Sequence, residues 1–308
     1  MKKMFYDNLI KGIANVELSP KTVFEIAVAS ACVLGKGNPS SLKILVGKDT
    51  RISGDMIEGA ITSAFCSLGV QVHIAGIMPT PALSYLVKKY GMDAGVVITA
   101  TDAPIEYNGI KLLNADGNYI DTATEHEIEE FLNSNKTYGN LPVGANLGKV
   151  SRNDMGVRDY VDYIKDNTKG DFSGYKMAVD CGNGAAYQCA KLFFRELDAN
   201  VTIINNRPNG INISADCGFN NTEALKKYVV ENNCDFGFAY DGDAEFVCVI
   251  DENGNDVNSN AVLDLCVDYI KKYNCSITDE MIKKDAVMLS AQFVCALRQK
   301  GIKASELL

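Results

Sequence analysis

Histidine, paired cysteines and long apolar runs are scarce in this sequence. Its 308 residues include only two histidines, His73 and His126, which argues against a histidine-based zinc site and a histidine-centred catalytic triad. The ten cysteines form no Cys-x-x-Cys pair, and most lie in apolar stretches, where a free thiol packs as a small apolar side chain. This usage predicts reduced thiols in a cytoplasmic protein and not a disulfide framework.

Membrane and nucleic-acid signals are also missing. No stretch reaches the roughly 18 apolar residues that a spanning helix needs, and no apolar run follows the N-terminal lysines as in a secretory signal. We therefore expect no membrane insertion. Lys and Arg total 30 against 39 Asp and Glu, a net charge of −9, and basic residues form no run. Such an acidic chain is a poor match for nucleic acid or an anionic membrane surface.

What is present is the composition of a folded chain, 47% hydrophobic and 22% charged, with a length that indicates two domains and part of a third. Helical patterns alternate with strand-like apolar runs at 42–46, 70–75, 94–100, 176–180, 201–204 and 236–240. This alternation predicts an α/β fold of repeated three-layer α/β units with mainly parallel mixed sheets.

Three domains are predicted, at residues 1–150, 151–257 and 258–308, and a Gly-, Asn- and Pro-rich stretch at 139–148 joins the first two. The third is expected to be incomplete. Its predicted elements are a strand at 286–289, a helix at 291–300 and a strand at 302–304. Apolar residues there, such as Val287, Leu289, Phe293 and Leu297, are expected to be exposed unless they dock on the second domain or on another chain.

Two polar loops follow strands at the sheet edge where parallel α/β proteins bind ligands. They are Thr101-Asp102-Ala103-Pro104 and Asp241-Gly242-Asp243-Ala244-Glu245. The second places three carboxylates at alternate positions, a ligand set that suits Mg²⁺. A calcium-binding EF-hand is excluded because Phe246 occupies the position that needs glycine. The alternative for either loop is a solvated turn, and for the acidic one a charged turn ahead of a hairpin.

Three basic residues are candidates for phosphate contacts or proton transfer. Lys48 and Arg51 precede a helix whose N-terminus favours anions, and the alternative is ordinary surface charge. Lys111 lies in a strand-like run, either at a sheet edge or directed into a cleft. The turn at 182–184, Gly-Asn-Gly, lacks the third glycine of a dinucleotide-binding fingerprint and is a weak signal.

Seven segments together resemble the α-D-phosphohexomutase family, most closely its bacterial phosphoglucosamine mutase branch. They lie at residues 12–15, 47–54, 79–82, 108–111, 180–185, 208–213 and 241–243. The resemblance implies four α/β domains, of which this chain would hold the first two and part of the third. It also implies a Mg²⁺-dependent phosphoserine enzyme that interconverts glucosamine 6-phosphate and glucosamine 1-phosphate through a bisphosphorylated sugar.

The resemblance also implies roles for individual residues. Thr101 stands at the phosphoacceptor position and Lys111 at the general acid/base position, while Lys11, Lys48 and Arg51 would bind phosphate or substrate. Mg²⁺, weakly held, would have Thr101, Asp241, Asp243 and Glu245 as its ligands. The expected ligand is a phosphorylated amino sugar, and homo- or hetero-oligomers would form through the first domain.

The chain departs from the family pattern where the chemistry lies. The family loop Ser-Ala-Ser-His-Asn-Pro is replaced by residues 99–104, Thr-Ala-Thr-Asp-Ala-Pro. Asp102 puts a negative charge beside the incoming phosphate, at a cost on the order of 4 kcal/mol at 4 Å. Phe246 replaces the arginine that ends the family's metal loop, and Lys11 replaces an arginine near the N-terminus.

We therefore expect a phosphoglucosamine mutase homologue that retains the scaffold without efficient turnover and acts by binding or regulation. The sugar-reading loop and the phosphate-binding fourth domain of the family would lie beyond Leu308. One alternative is residual Mg²⁺-dependent mutase or phosphoryl-transfer activity through Thr101. Another is a truncated gene product without function.

Overall fold

A computed structural model describes residues 3–134, 141–273 and 277–307, which form two compact units, Met1–Gly156 and Val157–Leu308. Cys275 and part of the predicted 139–148 connection lie outside the described residues. The three domain ranges stay predictions. In the described part of the chain, no helix is both long enough and apolar enough to cross a membrane.

The first unit is built on a seven-stranded sheet. Its strands are β1 (Phe5–Tyr6), β2 (Leu9–Ile13), β3 (Lys43–Lys48), β4 (Gln71–Ile77), β5 (Ala94–Ile98), β6 (Tyr107–Asn114) and β7 (Val150–Arg152). In the order β1-β2-β6-β5-β3-β4-β7, the last four strands are parallel and the first three are joined antiparallel. The predicted mainly parallel mixed sheet is confirmed.

Helices cover both faces of this sheet: α1 (Pro20–Leu34), α2 (Ser53–Ser67), α3 (Thr80–Lys89) and α4 (Thr122–Asn133). Local sequence sets their starts, since the Ser19 hydroxyl accepts a hydrogen bond from the Thr22 amide and Pro20 occupies the first turn of α1. Residues of α1 and α2 share a buried cluster with Val46 and Val96, whereas Leu83 of α3 packs closely against Gly47. Because side chains alternate along a strand, α3 lies on the opposite face.

The second unit has a four-stranded sheet in the order β11-β10-β8-β9. Its elements are α5 (Gly156–Asn167), β8 (Lys176–Asp180), α6 (Tyr187–Glu196), β9 (Asn200–Ile204), α7 (Glu223–Glu231), β10 (Phe236–Tyr240), β11 (Val247–Asp251), α8 (Ser259–Tyr273), α9 (Asp279–Ile282) and α10 (Ala286–Lys300). The Phe293 ring of α10 meets Phe236 and Phe238 edge-on, while Leu225 of α7 packs against Gly237. The two helices therefore cover opposite faces of β10.

The predicted strands at 286–289 and 302–304 are wrong. Residues 286–300 form one helix, and residues 304–306 form a short 3₁₀ turn. A short apolar run does not by itself distinguish a buried strand from a buried helix. The Asp285 carboxylate, which accepts a hydrogen bond from the Met288 amide at 2.9 Å, starts the helix here. Val287, Phe293 and Leu297 are buried within the second unit, which is the outcome expected if this segment docks on the second domain.

Candidate functional site

The loop that carries Thr101 (residues 99–106, hereafter the Thr101 loop) leaves the carboxyl end of β5 and returns as β6. Thr101 has a φ of +56°, a left-handed backbone conformation that is rare for a β-branched residue. The Thr101 amide donates to Oγ1 of Thr99 at 3.0 Å, and that hydroxyl donates to Oδ2 of Asp49 at 2.9 Å. The predicted phosphoacceptor, Thr101, is therefore linked by hydrogen bonds to the carboxyl end of β3.

Arg51 is buried under the same loop. Its guanidinium donates to Oδ2 of Asp49 (3.1 Å) and to the carbonyl oxygens of Ala103 (2.7 Å), Pro104 (2.8 Å), Thr101 (3.3 Å) and Tyr107 (3.3 Å). The alternative that Arg51 is ordinary surface charge is wrong, because its side chain is fully buried. The predicted phosphate contact of Arg51 stays a prediction.

Lys48 forms ion pairs with helix α2. Its Nζ lies 2.5 Å from Oδ1 of Asp55 and 3.1 Å from Oε2 of Glu58. Asp55 is exposed, so that pair contributes at most about 1 kcal/mol. The predicted substrate contact of Lys48 is not tested by these pairs.

Lys11 and Lys111 occupy adjacent strands and face the same side of the sheet. Lys11 of β2 is opposite Gly109 of β6, and Lys111 is opposite Leu9. Diagonal neighbours of this kind are roughly 7–8 Å apart. Since β6 lies between β2 and β5, the edge-strand alternative for Lys111 is wrong. Lys111 is buried with its Nζ 5.8 Å from the Tyr119 ring centroid, whereas Lys11 is exposed.

The two lysines lie beside the start of the Thr101 loop. The Thr99 amide donates to the carbonyl oxygen of Gly109, the residue opposite Lys11. A side chain at Gly109 would not fit, because a Cβ there would lie 2.6 Å from the Thr99 carbonyl oxygen. This close approach brings the backbone of β6, two residues before Lys111, against the start of the Thr101 loop.

The acidic loop (residues 241–245) connects β10 and β11 as a hairpin. The Phe246 amide donates to Oδ1 of Asp241 at 2.9 Å. Asp241, Asp243 and Glu245 are only 2%, 0% and 7% exposed. The loop is therefore a charged turn in a hairpin, as the alternative has it, but its three carboxylate residues are buried and not solvated.

The acidic loop has the ligand chemistry for a hard cation. Among the described residues, no N–H or O–H group donates to the buried Oδ2 of Asp241. Burial, and next the charge of Asp243, raises the pKa of Asp241 well above its usual range. A divalent cation would satisfy this oxygen and offset the repulsion between the two carboxylates. The described ranges contain no group of three or more His, Cys, Asp or Glu side chains already arranged around a metal position.

Two backbone contacts hold the acidic loop. The turn at 181–184 packs on it so tightly that a Cβ at Gly184 would lie 2.5 Å from the Gly242 carbonyl oxygen. On another side, the Ala286 amide at the start of α10 donates to the Ala244 carbonyl oxygen at 3.0 Å. Ala244 is left-handed, with a φ of +56°, a backbone conformation that favours glycine.

Sequence reasoning did not single out Asp180, which organises the loops at the carboxyl edge of the sheet in the second unit. Its Oδ1 accepts from the Gly182 amide at 2.8 Å, and its Oδ2 accepts from Asn205 Nδ2 at 3.0 Å and the Gly218 amide at 3.1 Å. Burial raises its pKa despite these bonds. The sequence signal for Asp180 is an acidic residue at the end of an apolar strand.

Phe219 was also missed, and it pairs with Phe246 at the end of the acidic loop. Their ring centroids are 6.2 Å apart, and the two side chains are 37% and 47% exposed. Position 246, where the family pattern has arginine, therefore has an aromatic side chain that contacts a second aromatic ring.

Comparisons with known proteins agree with this architecture. Residues 2–139 match the family described as phosphoglucomutase/phosphomannomutase, alpha/beta/alpha domain I, and residues 158–254 match its domain II. A phosphoglucosamine mutase from Clostridioides difficile is 40% identical over 305 residues, which cover 99% of this chain and 67% of the relative. The chain belongs to the phosphoglucomutase/phosphomannomutase family.

Other members of the family are similar in sequence or in fold. A phosphoglucosamine mutase from Ruminiclostridium cellulolyticum is 44% identical over 271 residues, which cover 88% of this chain. The chain spans about 60% of the length of this and the next most similar curated relatives. A Thermus thermophilus protein assigned as a phosphomannomutase has the same fold, with a TM-score of 0.83 at 20% identity over 99% of this chain and 82% of its own.

Proposed function

We propose that this chain binds a phosphorylated hexosamine and transfers phosphoryl groups through Thr101 at a rate far below that of an intact phosphoglucosamine mutase. The substrate class comes from the names of the relatives that are 40–44% identical. The observation that carries the proposal is the hydrogen-bonded series from the Thr101 amide through Thr99 to Asp49, which holds the acceptor residue in one conformation.

Individual residues have the following roles in the proposed phosphoryl transfer. The hydroxyl of Thr101 attacks a phosphoryl group of a bisphosphorylated hexosamine, the bond from phosphorus to the sugar oxygen breaks, and the monophosphate leaves. Lys111 takes the hydroxyl proton and returns a proton to the leaving oxygen, while Lys11 offsets the phosphate charge. A bound Mg²⁺ would supply further charge neutralisation, with Asp241, Asp243 and Glu245 to hold it. The role of Thr101 as a metal ligand stays a prediction.

Three departures from the family support a slow reaction. The β-methyl group of Thr101 crowds the attacking oxygen. Asp102 is exposed beside it and repels the incoming phosphate. Phe246 cannot stabilise charge as an arginine does, and one such arginine contributes about 10³-fold or more in phosphoryl transfer.

Intact-mass measurement after incubation with Mg²⁺ and glucosamine 1,6-bisphosphate tests the proposal. We expect the wild-type chain to gain one phosphoryl group slowly, Thr101→Ser to gain it faster, and Thr101→Ala to gain none. If neither the wild type nor Thr101→Ser gains mass, phosphoryl transfer is excluded. Calorimetric binding of glucosamine 6-phosphate would then decide whether the binding and regulatory role remains.

A further inference from the structure

We infer that Arg51 is a positioning residue, which fixes the backbone of Thr101 through hydrogen bonds to the Thr101 loop, and not a phosphate ligand. The predicted effect on phosphoryl transfer rests on the proposed function. The predicted effect on the structure of the loop does not.

The N–H groups of the Arg51 guanidinium all donate to oxygen atoms within the first unit. A guanidinium has five N–H groups, and five oxygen atoms accept from this one: Oδ2 of Asp49 and the carbonyl oxygens of Thr101, Ala103, Pro104 and Tyr107. The side chain is fully buried. A phosphate could bind Arg51 only if several of these bonds broke.

The Asp49–Arg51 pair holds both ends of the Thr101 backbone. The Thr101 carbonyl oxygen accepts from Arg51, and the Thr101 amide reaches Asp49 through the Thr99 hydroxyl. A left-handed conformation at a β-branched residue persists only where the surroundings impose it. This pair supplies that constraint, because it restrains the peptide groups on either side of the Thr101 Cα.

Only arginine has the geometry for this role. Its planar fork reaches several carbonyl oxygens at once, whereas the ammonium of lysine is a single point with three donors. Arg51→Lys would therefore keep the positive charge and lose most of the loop bonds. If Arg51 were a phosphate ligand, lysine would replace it in large part.

Amide hydrogen exchange across residues 99–107 tests the structural claim directly. We expect Arg51→Lys, and independently Thr99→Val, to accelerate exchange at the Thr101 and Ala103 amides by roughly tenfold or more. Arg158→Lys is the matched control, since Arg158 pairs with Asp162 and Glu196 in the other unit. Wild-type exchange rates in both test variants would overturn the inference.

The single-turnover rate of Thr101 phosphorylation, measured at increasing concentrations of glucosamine 1,6-bisphosphate, supplies the second measurement, with the half-saturating concentration taken as the KM. A positioning role predicts that Arg51→Lys lowers the maximal rate and leaves the KM for the donor within about threefold. A raised KM with an unchanged maximal rate would instead identify a phosphate ligand and overturn the inference. If the wild-type chain is not phosphorylated, the proposed function fails and the exchange rates alone decide the role of Arg51.

Discussion

The hydroxyl of Tyr160 lies 2.6 Å from Oδ1 of Asp285, and both side chains are buried in the second unit. The same oxygen accepts from the Met288 amide and caps helix α10. Burial raises the pKa of Asp285 from 3.8 to about 6, although the hydrogen bonds from Tyr160 and Met288 oppose the shift. A helix that contacts the acidic loop therefore starts at a carboxyl group that titrates near neutral pH.

This pKa predicts a stability that increases as the pH falls. The folded state binds the Asp285 proton more tightly than the unfolded state, so the stabilisation is complete below about pH 4 and is lost as the pH rises through about 6. Asp285→Asn keeps a capping oxygen and removes the charge. Its free energy of unfolding, relative to that of the wild type, should be larger by about 2 kcal/mol at about pH 7.5 than at about pH 4.5.

Urea denaturation of both proteins at the two pH values measures this difference. Groups that titrate in both proteins cancel in the comparison. Tyr160→Phe is a useful companion, because loss of its hydrogen bond should move the titration of Asp285 to higher pH. A difference that does not depend on pH would contradict the assignment.

Ala244→Gly should stabilise the second unit by about 0.5 kcal/mol. The left-handed backbone costs a non-glycine residue about 1–2 kcal/mol, which exceeds the loss of one buried methyl group at about 0.8 kcal/mol. Ala239→Gly, in neighbouring strand β10, is the control and should destabilise by about 1–2 kcal/mol. Equal losses of unfolding free energy in the two variants would show that Ala244 is unstrained.

Gly184→Ala should displace the acidic loop. The added Cβ would lie 2.5 Å from the Gly242 carbonyl oxygen, and neither backbone segment can yield as a flexible side chain would. We expect the affinity for Mg²⁺, measured by calorimetry, to fall roughly tenfold, with a loss of about 1–3 kcal/mol in stability. Gly59→Ala, where no atom lies within 4 Å of the new Cβ, should leave Mg²⁺ binding unchanged. Unaltered affinity in Gly184→Ala would contradict the proposed metal position.

Under the proposed function, in which residue 246 acts on the reaction at Thr101, Phe246→Arg should accelerate phosphorylation of Thr101 by about 10²-fold, because it restores a charge that phosphoryl transfer uses. The site tolerates the change, since the Phe246 side chain is 47% exposed and its backbone bonds to Asp241 do not involve the ring. Phe246→Lys, which restores charge without the fork, should gain less. Equal rates in Phe246→Arg and Phe246→Ala would show that the lost arginine is not the limiting departure.

The sequence predicts strands such as β8 and β10 closely because apolar runs there are short and end at polar turns. It predicts α10 only from residue 291 and assigns the first turn to a strand, because buried residues surround the helix and leave no polar face to mark its period. Local pattern is sufficient where turns bound a short apolar run, and insufficient where a buried apolar run continues into a helix.

The candidate site, too, could be predicted from the sequence only in part. The acidic loop could be found from its three alternating carboxylates, and the Thr101 loop from its place after a strand. The burial of Arg51 could not be found, because its partners are carbonyl oxygens about fifty residues further along the chain. Every residue has a backbone carbonyl, so the sequence does not show which carbonyl oxygens will accept a hydrogen bond from a distant side chain.

The hydrogen bond from the Ala286 amide to the Ala244 carbonyl oxygen has a consequence for how the protein can be shortened or evolve. The acidic loop belongs to a hairpin that is complete by Asp251, yet one of its backbone oxygens is satisfied by a residue beyond position 280. A deletion that removes the chain between Asp251 and the end of α10 would leave the hairpin sequence intact. It would also remove the hydrogen bond from the Ala286 amide to the acidic loop. The conformation of the acidic loop thus depends on a distant stretch of the chain, and a variant that lacks α10 would lose this backbone contact.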